Sequence, residues 1–304
     1  MKLSQLGEIG LIRRIAKMAR TDASVVRGIG DDTAVIKWKR NKYLLATCDM
    51  LVEDVHFRRR SAKPFQIGWK AMARNLSDIA AMGGIPRYAL VSAGLPAGIS
   101  AGFAEGIYRG IDALAGRFKV NIVGGDTTRS DKIVIDISLI GEVEKNILTL
   151  RSGAKKGDAV LVTGSIGGSI KGRHLNFIPR VKEARTLVNG YKINSMIDVS
   201  DGLAIDMWRV LEASNRGARI YSNAVPLNKD AGAFEEAVRD GEDFELLFTM
   251  SKPQARRLIK SRRPLGVTPV TLIGEITDKA RGFVSVDEYG KEKTIRPEGY
   301  IHFR

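Results

Sequence analysis

The chain has 304 residues, 44% of them hydrophobic and 27% charged, which is typical of a folded protein large enough for two domains. No apolar run approaches the roughly 20 residues of a membrane span, and the amino-terminal segment has no apolar signal core. We therefore expect a cytoplasmic protein without membrane contact. The only cysteine, Cys48, excludes an intramolecular disulfide and a cysteine zinc site.

The formal net charge of +15 raises nucleic-acid binding as an alternative function. The lysine and arginine residues are scattered, however, and the sequence has none of the common nucleic-acid-binding motifs. A basic exterior also suits a protein that binds phosphorylated small molecules. We therefore expect no nucleic-acid partner. A steep loss of affinity with rising salt concentration would argue for one.

Hydrophobic periodicity predicts strands and helices in the first half of the chain, without strict βαβ order. The best-defined helix begins at Pro64, a favoured first-turn residue, and ends at the Gly83–Gly84 pair. On the polar flank of this helix, Asn75 and Asp78 lie side by side. The other predicted elements are strands at 33–38, 43–49, 87–95, 120–125 and 132–143 and a helix from about 100 to 118.

The polar segment "RSGAKKGD" at 151–158 separates two halves, and the hydrophobic pattern restarts after it. We expect residues 1–147 to form an N-terminal domain and residues 148–304 to form a C-terminal domain. The predicted fold class is α/β (α+β) with two domains. The predicted elements of the second half are strands near 159–163, 195–199, 218–222, 245–250, 270–274 and 282–286 and helices at 202–214 and 252–262.

Aspartates recur at the ends of predicted strands and beside glycines, where a backbone can approach a ligand closely. Hard oxygen ligands from several loops, without clusters of histidine or cysteine, favour Mg²⁺ over zinc or copper. The pattern therefore predicts a magnesium site. The aspartates in question are Asp31, Asp32, Asp49, Asp78, Asp126, Asp198 and Asp201.

Each aspartate also has an ordinary structural interpretation. Asp201 precedes a predicted helix and could cap it, and Asp49 or Asp126 could simply end a strand. The tandem Asp31–Asp32 and the "IDVSDG" loop favour a metal–phosphate site, because one helix cap needs only one oxygen. The glycine-rich "VTGSIGGS" at 162–169 resembles a phosphate loop but lacks the residue spacing of a P-loop.

Ordered motifs cover nearly the whole chain. They are "GIGDDTAV", "TCDMLVEDVHF", "KAMARNLSDIAAMGGIP", "IVGGDTTRS", "HLNFIPRVKEA", "IDVSDGLAID", "GEDFELLF" and the terminal "GYIHF". In this order they resemble the thiamine-monophosphate kinase family, a member of the aminoimidazole ribonucleotide synthetase-like superfamily of ATP-dependent enzymes.

The resemblance implies a homodimer in which the N-terminal sheet domain pairs with its partner into a barrel. The C-terminal α/β domain completes a cleft for ATP, several Mg²⁺ ions and thiamine monophosphate. Matched motif by motif, the implied metal ligands are Asp32, Thr47, Cys48, Asp49, Asp78, Asp126, Asp198 and Asp201. The implied ATP contacts are Tyr108, Gly125, Asp126, Arg151 and Ser200, and the implied substrate contacts are His56, Glu242 and Pro297.

Two of these positions depart from the family pattern. Cys48 stands where many relatives carry a hydroxyl residue, and Pro297 stands where an aromatic residue often covers the substrate. Two others keep a structural alternative: His56 could be a packed or surface histidine, and Glu242 could be a turn acid before a strand.

The implied reaction is phosphorylation of thiamine monophosphate to thiamine diphosphate by direct, in-line, Mg²⁺-assisted transfer from ATP. The acceptor phosphate is already anionic, so we expect no general base and no catalytic residue in the narrow sense. The alternative is a sibling enzyme of the superfamily with another acceptor. The sequence lacks the glycine-rich segment with a reactive cysteine expected of selenophosphate synthetase, and it lacks the terminal cysteine of the hydrogenase-maturation enzyme.

Overall fold

A computed structural model describes residues 2–261 and 265–303 as a mixed α/β protein with two sheet-containing domains. The elements of the first domain are α1 (Leu3–Met18), β1 (Val25–Arg27), β2 (Ala34–Lys39), β3 (Lys42–Val52), α2 (Pro64–Ala81), β4 (Ile85–Leu95), α3 (Ala101–Arg117), β5 (Asn121–Arg129) and β6 (Val134–Glu144).

The first sheet has the strand order β1-β2-β3-β6-β4-β5. Its neighbours pair antiparallel except β4 and β5, which run parallel and are joined by α3. Buried and half-buried residues alternate strictly along β6, as expected of a strand with one face on a core. The buried face packs against α2 and α3, while Tyr88, Leu90 and Val123 stay exposed.

The second sheet has the order β13-β12-β9-β11-β7-β10-β8. All residues of the interior strand β7 are buried, which fits a strand covered on both faces. The elements of the second domain are β7 (Asp158–Thr163), α4 (Val181–Gly190), β8 (Ser195–Asp198), α5 (Leu203–Ser214), β9 (Arg216–Tyr221), α6 (Phe234–Ala237), β10 (Leu246–Ser251), α7 (Lys252–Lys260), β11 (Val270–Asp278), β12 (Phe283–Val286) and β13 (Glu292–Thr294).

The predicted strands and helices all occur, and the mixed α/β class with two sheet domains is confirmed. One boundary differs in a way that matters: β5 continues to Arg129, so Asp126 lies within an edge strand rather than after it. The predicted helix over 252–262 ends at Lys260, and residue 262 lies outside the described residues. Sequence analysis assigned no bounds to α4 and α6, and α1, β1 and β13 were not predicted. Helix α1 buries none of its described residues, so little core periodicity marks it.

Within residues 2–261 and 265–303, none of the helices is both long and apolar enough to cross a bilayer.

Helices α2 and α3 cross with their backbones in close contact. A Cβ atom added at Gly68 would lie 1.8 Å from the carbonyl oxygen of Ile107, and one added at Gly110 would lie 2.0 Å from that of Phe65. Only glycine therefore fits at these two positions. The close crossing seats α2 between the first sheet and the second domain, and α2 carries several of the side chains described below.

We predict that Gly110→Ala lowers the melting temperature, because the new methyl group must push α3 away from α2. Overpacking of this kind costs roughly 1–3 kcal/mol. Gly116→Ala is the matched control on the same helix: a Cβ there meets nothing within 4 Å, and alanine is the better helix former by about 1 kcal/mol. Equal melting temperatures for the two variants would contradict the tight crossing.

Candidate active site

A cavity of about 1290 Å³ lies between the two domains. Its wall comes from the loop before β2, from β3, from α2 and from the loop after β8. Residues of α1 and α5 and the carboxyl-terminal His302 and Phe303 complete it. Among the residues assigned from sequence, those that line it are Asp31, Asp32, Thr47, Cys48, Asp49, His56, Asp78, Arg151, Asp198, Ser200 and Asp201.

Three carboxylates from distant parts of the chain meet on this wall. Asp32, Asp78 and Asp198 each offer an oxygen, and these three atoms lie within 4.8 Å of one another. Burial raises the pKa of Asp78 well above its usual range, and the charges of Asp49 and Asp198 add to the shift. Burial and the charge of Asp32 likewise raise the pKa of Asp198. The carboxylates therefore repel one another unless a cation joins them.

Hydrogen-bond donors hold each carboxylate by one of its oxygens. The hydroxyl of Thr47 donates to Asp78 at 2.6 Å, and the hydroxyl of Ser77 donates to Asp198 at 2.6 Å. The Nη2 of Arg151 donates to Oδ1 of Asp32 at 2.6 Å, whereas the buried Oδ2 of Asp32 has no hydrogen-bond partner within residues 2–261 and 265–303. A buried oxygen without a partner in an acidic cluster fits a hard divalent cation.

The tandem acids at the start of β2 have different partners. Asp31 accepts a hydrogen bond from the backbone N–H of Arg151 at 3.1 Å, while Asp32 binds the guanidinium of the same residue. Burial, with the adjacent charge of Asp32, raises the pKa of Asp31 to about 6. Arg151 thus compensates much of the charge at the tandem, and Asp32 is the member that faces the other two carboxylates.

Asn75 is completely buried, which corrects the expectation that it lies on a polar flank. Its Oδ1 accepts a hydrogen bond from the backbone N–H of Asp49 at 3.1 Å, and its Nδ2 donates to the Ala71 carbonyl. The side chain therefore links α2 to β3 and fixes the position of Asp49.

Asp201 does not cap the helix that follows it, so that interpretation is wrong. Oδ2 of the fully buried Asp206 instead accepts hydrogen bonds from the backbone N–H groups of Ser200, Asp201 and Gly202, at 3.0 to 3.2 Å. Arg209 then binds Asp206 and Asp201 together. Because Asp206 holds the loop from inside, Asp201 lines the cavity. Sequence analysis missed Asp206, although it lies within the "IDVSDGLAID" motif.

The glycine-rich loop at 162–169 is not arranged for phosphate. The backbone N–H of Gly167 donates to Asp243 and that of Gly168 donates to Asp240, each at 2.8 Å. Arg173 binds Asp243 as well. Carboxylates of the same domain already occupy these amides, so the loop serves to fix the segment before β10.

His56 contacts the cavity as a neutral imidazole. Its Nδ1 accepts a hydrogen bond from the backbone N–H of Val52 at 3.0 Å, so the proton of the neutral ring lies on Nε2. Burial, together with the positive charge of Arg74, lowers the pKa of His56 to about 3. At neutral pH the ring can therefore donate one hydrogen bond from Nε2 to a ligand.

Glu242 is held by a buried lysine that sequence analysis missed. Nζ of Lys70, which is completely buried, donates to Glu242 and to the carbonyl of His56, and it lies 2.7 Å from Nδ1 of His174. Burial alone would raise the pKa of Glu242, but His174 and Lys70 hold it at about 2. Burial lowers the pKa of Lys70 to about 8. This contact joins α2 to the second domain.

Within the described part of the chain, five assigned residues do not line the cavity: Glu242, described above, and Tyr108, Gly125, Asp126 and Pro297. Gly125 and Asp126 are exposed on β5, where Oδ1 of Asp126 accepts a hydrogen bond from the backbone N–H of Thr127. Tyr108 packs on the core from α3, and Pro297 is exposed. His302 and Phe303 line the cavity near the carboxyl terminus, and the ring of Tyr300 packs against His302. The aromatic groups of "GYIHF" thus lie closer to the site than Pro297.

We predict that Lys70→Met destabilises the protein by about 3–5 kcal/mol, because it leaves the Glu242 carboxylate buried without its cation. The double variant Lys70→Met/Glu242→Gln should lose less than Lys70→Met alone, since it buries no unpaired charge. Chemical denaturation of the two variants tests the pair. Additive losses would show that the two side chains act independently.

We predict that Asp78→Asn raises the melting temperature in the absence of divalent metal, by roughly 2–4 °C for each kcal/mol of repulsion relieved. A folded-state pKa above the ordinary value means that ionisation favours the unfolded chain, so the gain should grow as pH rises above 3.8. The exposed Asp112→Asn on α3 is the control. A large loss of stability in Asp78→Asn would identify a structural carboxylate instead.

Two family models and a group of known proteins match this chain. The family model "AIR synthase related protein, N-terminal domain" matches residues 30–143, and "AIR synthase related protein, C-terminal domain" matches residues 155–287. A thiamine-monophosphate kinase of Rhodopirellula baltica is 39% identical over 91% of this chain and 92% of its own. One of Bacillus subtilis is 35% identical over 98% of this chain and all of its own.

The fold also matches a solved structure of AaThiL complexed with AMPPCP and TMP. The TM-score is 0.86, with 32% identity over 99% of each chain. The similarity therefore includes both domains.

Proposed function

The chain belongs to the AIR synthase related family and, within it, to the thiamine-monophosphate kinases, and we propose that it transfers the γ-phosphoryl group of ATP to the phosphate of thiamine monophosphate. The products are thiamine diphosphate and ADP. The observation that carries this function is the acidic cavity between two domains that match, over 99% of the chain, a structure holding AMPPCP and TMP.

The residues of the cavity suit a direct transfer between two phosphates. The acceptor oxygen is already anionic at neutral pH, so the chain has to align the two substrates and offset their charge rather than remove a proton. Mg²⁺, when bound, would neutralise phosphate charge, and Asp32, Asp78 and Asp198 would hold it. Arg151 fixes Asp32 and adds a permanent positive charge to the same wall.

The remaining assignments extend this site. We infer that Asp49, Asp201 and Thr47 add oxygen ligands, since all three line the same cavity. The thiol of Cys48 donates to Asp136 at 3.1 Å, which supports a contribution from its backbone rather than its sulfur. Ser200 lies beside Asp201 and is assigned to ATP together with Arg151.

We propose that the chain forms a homodimer through the exposed face of the first sheet. Tyr88, Leu90 and Val123 are 43–58% exposed on neighbouring strands β4 and β5, which supports an apolar contact surface. Gly125 and Asp126 belong to the same edge strand. Gly125, Asp126 and Tyr108 do not line the cavity of their own subunit. A dimer formed through this face would give them a role at the contact between subunits. The barrel and the assignment of these residues to ATP and metal stay predictions.

Two further expectations also stay predictions. The cytoplasmic location rests on the sequence alone. A domain boundary near residue 147 is supported by the interval between the two family-model matches, which end at 143 and resume at 155.

The direct test incubates the chain with ATP, Mg²⁺ and thiamine monophosphate and follows the reaction by ³¹P NMR. We expect the doublets of thiamine diphosphate and of ADP to grow together, and Asp78→Asn to abolish both. Unphosphorylated thiamine serves as the control acceptor. ATP consumption without thiamine diphosphate would support a sibling enzyme with a different acceptor. Salt-sensitive nucleic-acid binding without ATP turnover would support the nucleic-acid-binding alternative.

We predict that His56→Ala raises the KM for thiamine monophosphate about ten- to hundredfold, as for loss of a hydrogen bond to a charged group. The KM for ATP should change much less, because a lost contact to one bound substrate appears in the KM of that substrate. His56→Gln, which keeps an N–H donor, should recover part of the loss. Unchanged KM values with a lower melting temperature would show that His56 only packs.

A further inference from the structure

Arg74 lies on α2, one turn before Asp78, and its side chain reaches the cavity. Its Nε is 3.2 Å from Oδ2 of Asp49, and its Nη1 is 3.4 Å from the carbonyl oxygen of Met50. The side chain keeps 16% of its surface exposed. None of the roles described above includes this guanidinium group.

The other guanidinium groups on the described cavity wall are held more tightly. Arg13 binds Glu212 at 2.6 Å, Arg151 binds Asp32 at 2.6 Å, and Arg209 binds Asp206 at 2.6 Å. The carboxylate contact of Arg74 is 0.6 Å longer, 3.2 against 2.6 Å. The Arg13–Glu212 pair is largely exposed, at 58% and 49% of the two side chains. Among the three less exposed arginines of the cavity, Arg74 therefore has the longest carboxylate contact and the one most easily exchanged for a ligand.

Arg74 also lies between the two ends of the proposed reaction. Its charge acts on His56 at the substrate end, and the carboxylates of Asp49 and Asp78 act on Arg74 from the cluster end. Glu242 and Asp201 contribute from the second domain. Arg74 is therefore within electrostatic reach of both His56 and the carboxylate cluster, on the wall of the same cavity.

We propose that Arg74 binds the phosphate of the acceptor substrate, an inference that rests on the proposed function. A planar guanidinium group can donate two parallel hydrogen bonds to phosphate oxygens, which no lysine can match. The exchange would conserve charge pairing: Asp49 would bind the cation held by the cluster, and Arg74 would leave Asp49 and bind the phosphate. No proton moves, because the guanidinium stays protonated throughout.

The need for such a group follows from the other charges of the cavity. Asp31, Asp32, Asp49, Asp78, Asp198 and Asp201 line it. A phosphate dianion is repelled by this wall unless positive charge lies close to it. Arg151 is paired with Asp32 and Arg209 with two aspartates, at 2.6 to 2.7 Å. Within the described chain, Arg74 has a single, longer carboxylate contact at 3.2 Å, so it supplies the protein cation at the acceptor end.

The test compares two ligands that differ only in the phosphate group. Isothermal titration calorimetry measures the Kd of thiamine monophosphate and of thiamine for the full chain in the presence of Mg²⁺ and AMPPCP. We expect Arg74→Gln to weaken thiamine monophosphate about ten- to hundredfold and to leave thiamine within about twofold. Arg74→Lys keeps the positive charge but cannot donate two parallel hydrogen bonds, so it should recover part of the lost affinity. Arg109→Gln, an exposed arginine of α3, is the control.

Three results separate the alternatives. Loss of thiamine monophosphate binding alone supports the proposal. Unchanged binding of both ligands, with tighter Mg²⁺ binding in Arg74→Gln, would show that Arg74 only neutralises Asp49, and the proposal would be wrong. If the native chain bound thiamine monophosphate no better than thiamine, the proposed function itself would fail, and the role of Arg74 with it.

Arg74→Lys retains the ion pair with Asp49. If Arg74→Gln does not fold, Arg74→Lys therefore provides the same comparison of the two ligands.

Discussion

The structure depends on one electrostatic constraint, the enforced proximity of Asp32, Asp78 and Asp198. One oxygen of each lies within 4.8 Å of the other two. Oδ2 of Asp32 is buried and has no hydrogen-bond partner among the residues that the structure describes. Folding must hold these groups together against their repulsion, and it does so with donors that each take only one oxygen. A divalent cation would offset this repulsion, and the phosphates of a kinase's substrates would share that cation with the cluster.

Helix α2 carries much of this arrangement because it lies between the domains. Side chains on successive turns reach different partners: Lys70 reaches Glu242, Arg74 reaches Asp49, and Ser77 reaches Asp198. The glycine-mediated crossing with α3 fixes the depth at which the helix lies. A shift of α2 would therefore disturb the metal cluster and the substrate side together, which couples the fold of the first domain to the site.

Much of the fold was predictable because strand alternation and helix periodicity are local properties. The acids that meet in the cavity were also predictable, since ligands bind where strands end and loops begin. The partners of those acids were not. Ser77 and Asp198 are 121 residues apart, and Lys70 and Glu242 are 172 residues apart, so their contacts exist only in the folded chain. The hydrogen bonds from Asp206 to the backbone of the loop were not predicted, because Asp201 stands at the position where a helix-capping residue is expected.

The most direct test of a divalent-cation site at these three carboxylates is anomalous diffraction from crystals of the chain grown with Mn²⁺ and AMPPCP, recorded above the manganese absorption edge. We expect a strong anomalous peak within coordination distance of carboxylate oxygens of Asp32, Asp78 and Asp198, with Oδ2 of Asp32 among the ligands. Crystals in which the nucleotide is bound but no anomalous peak lies within reach of these three side chains would contradict it.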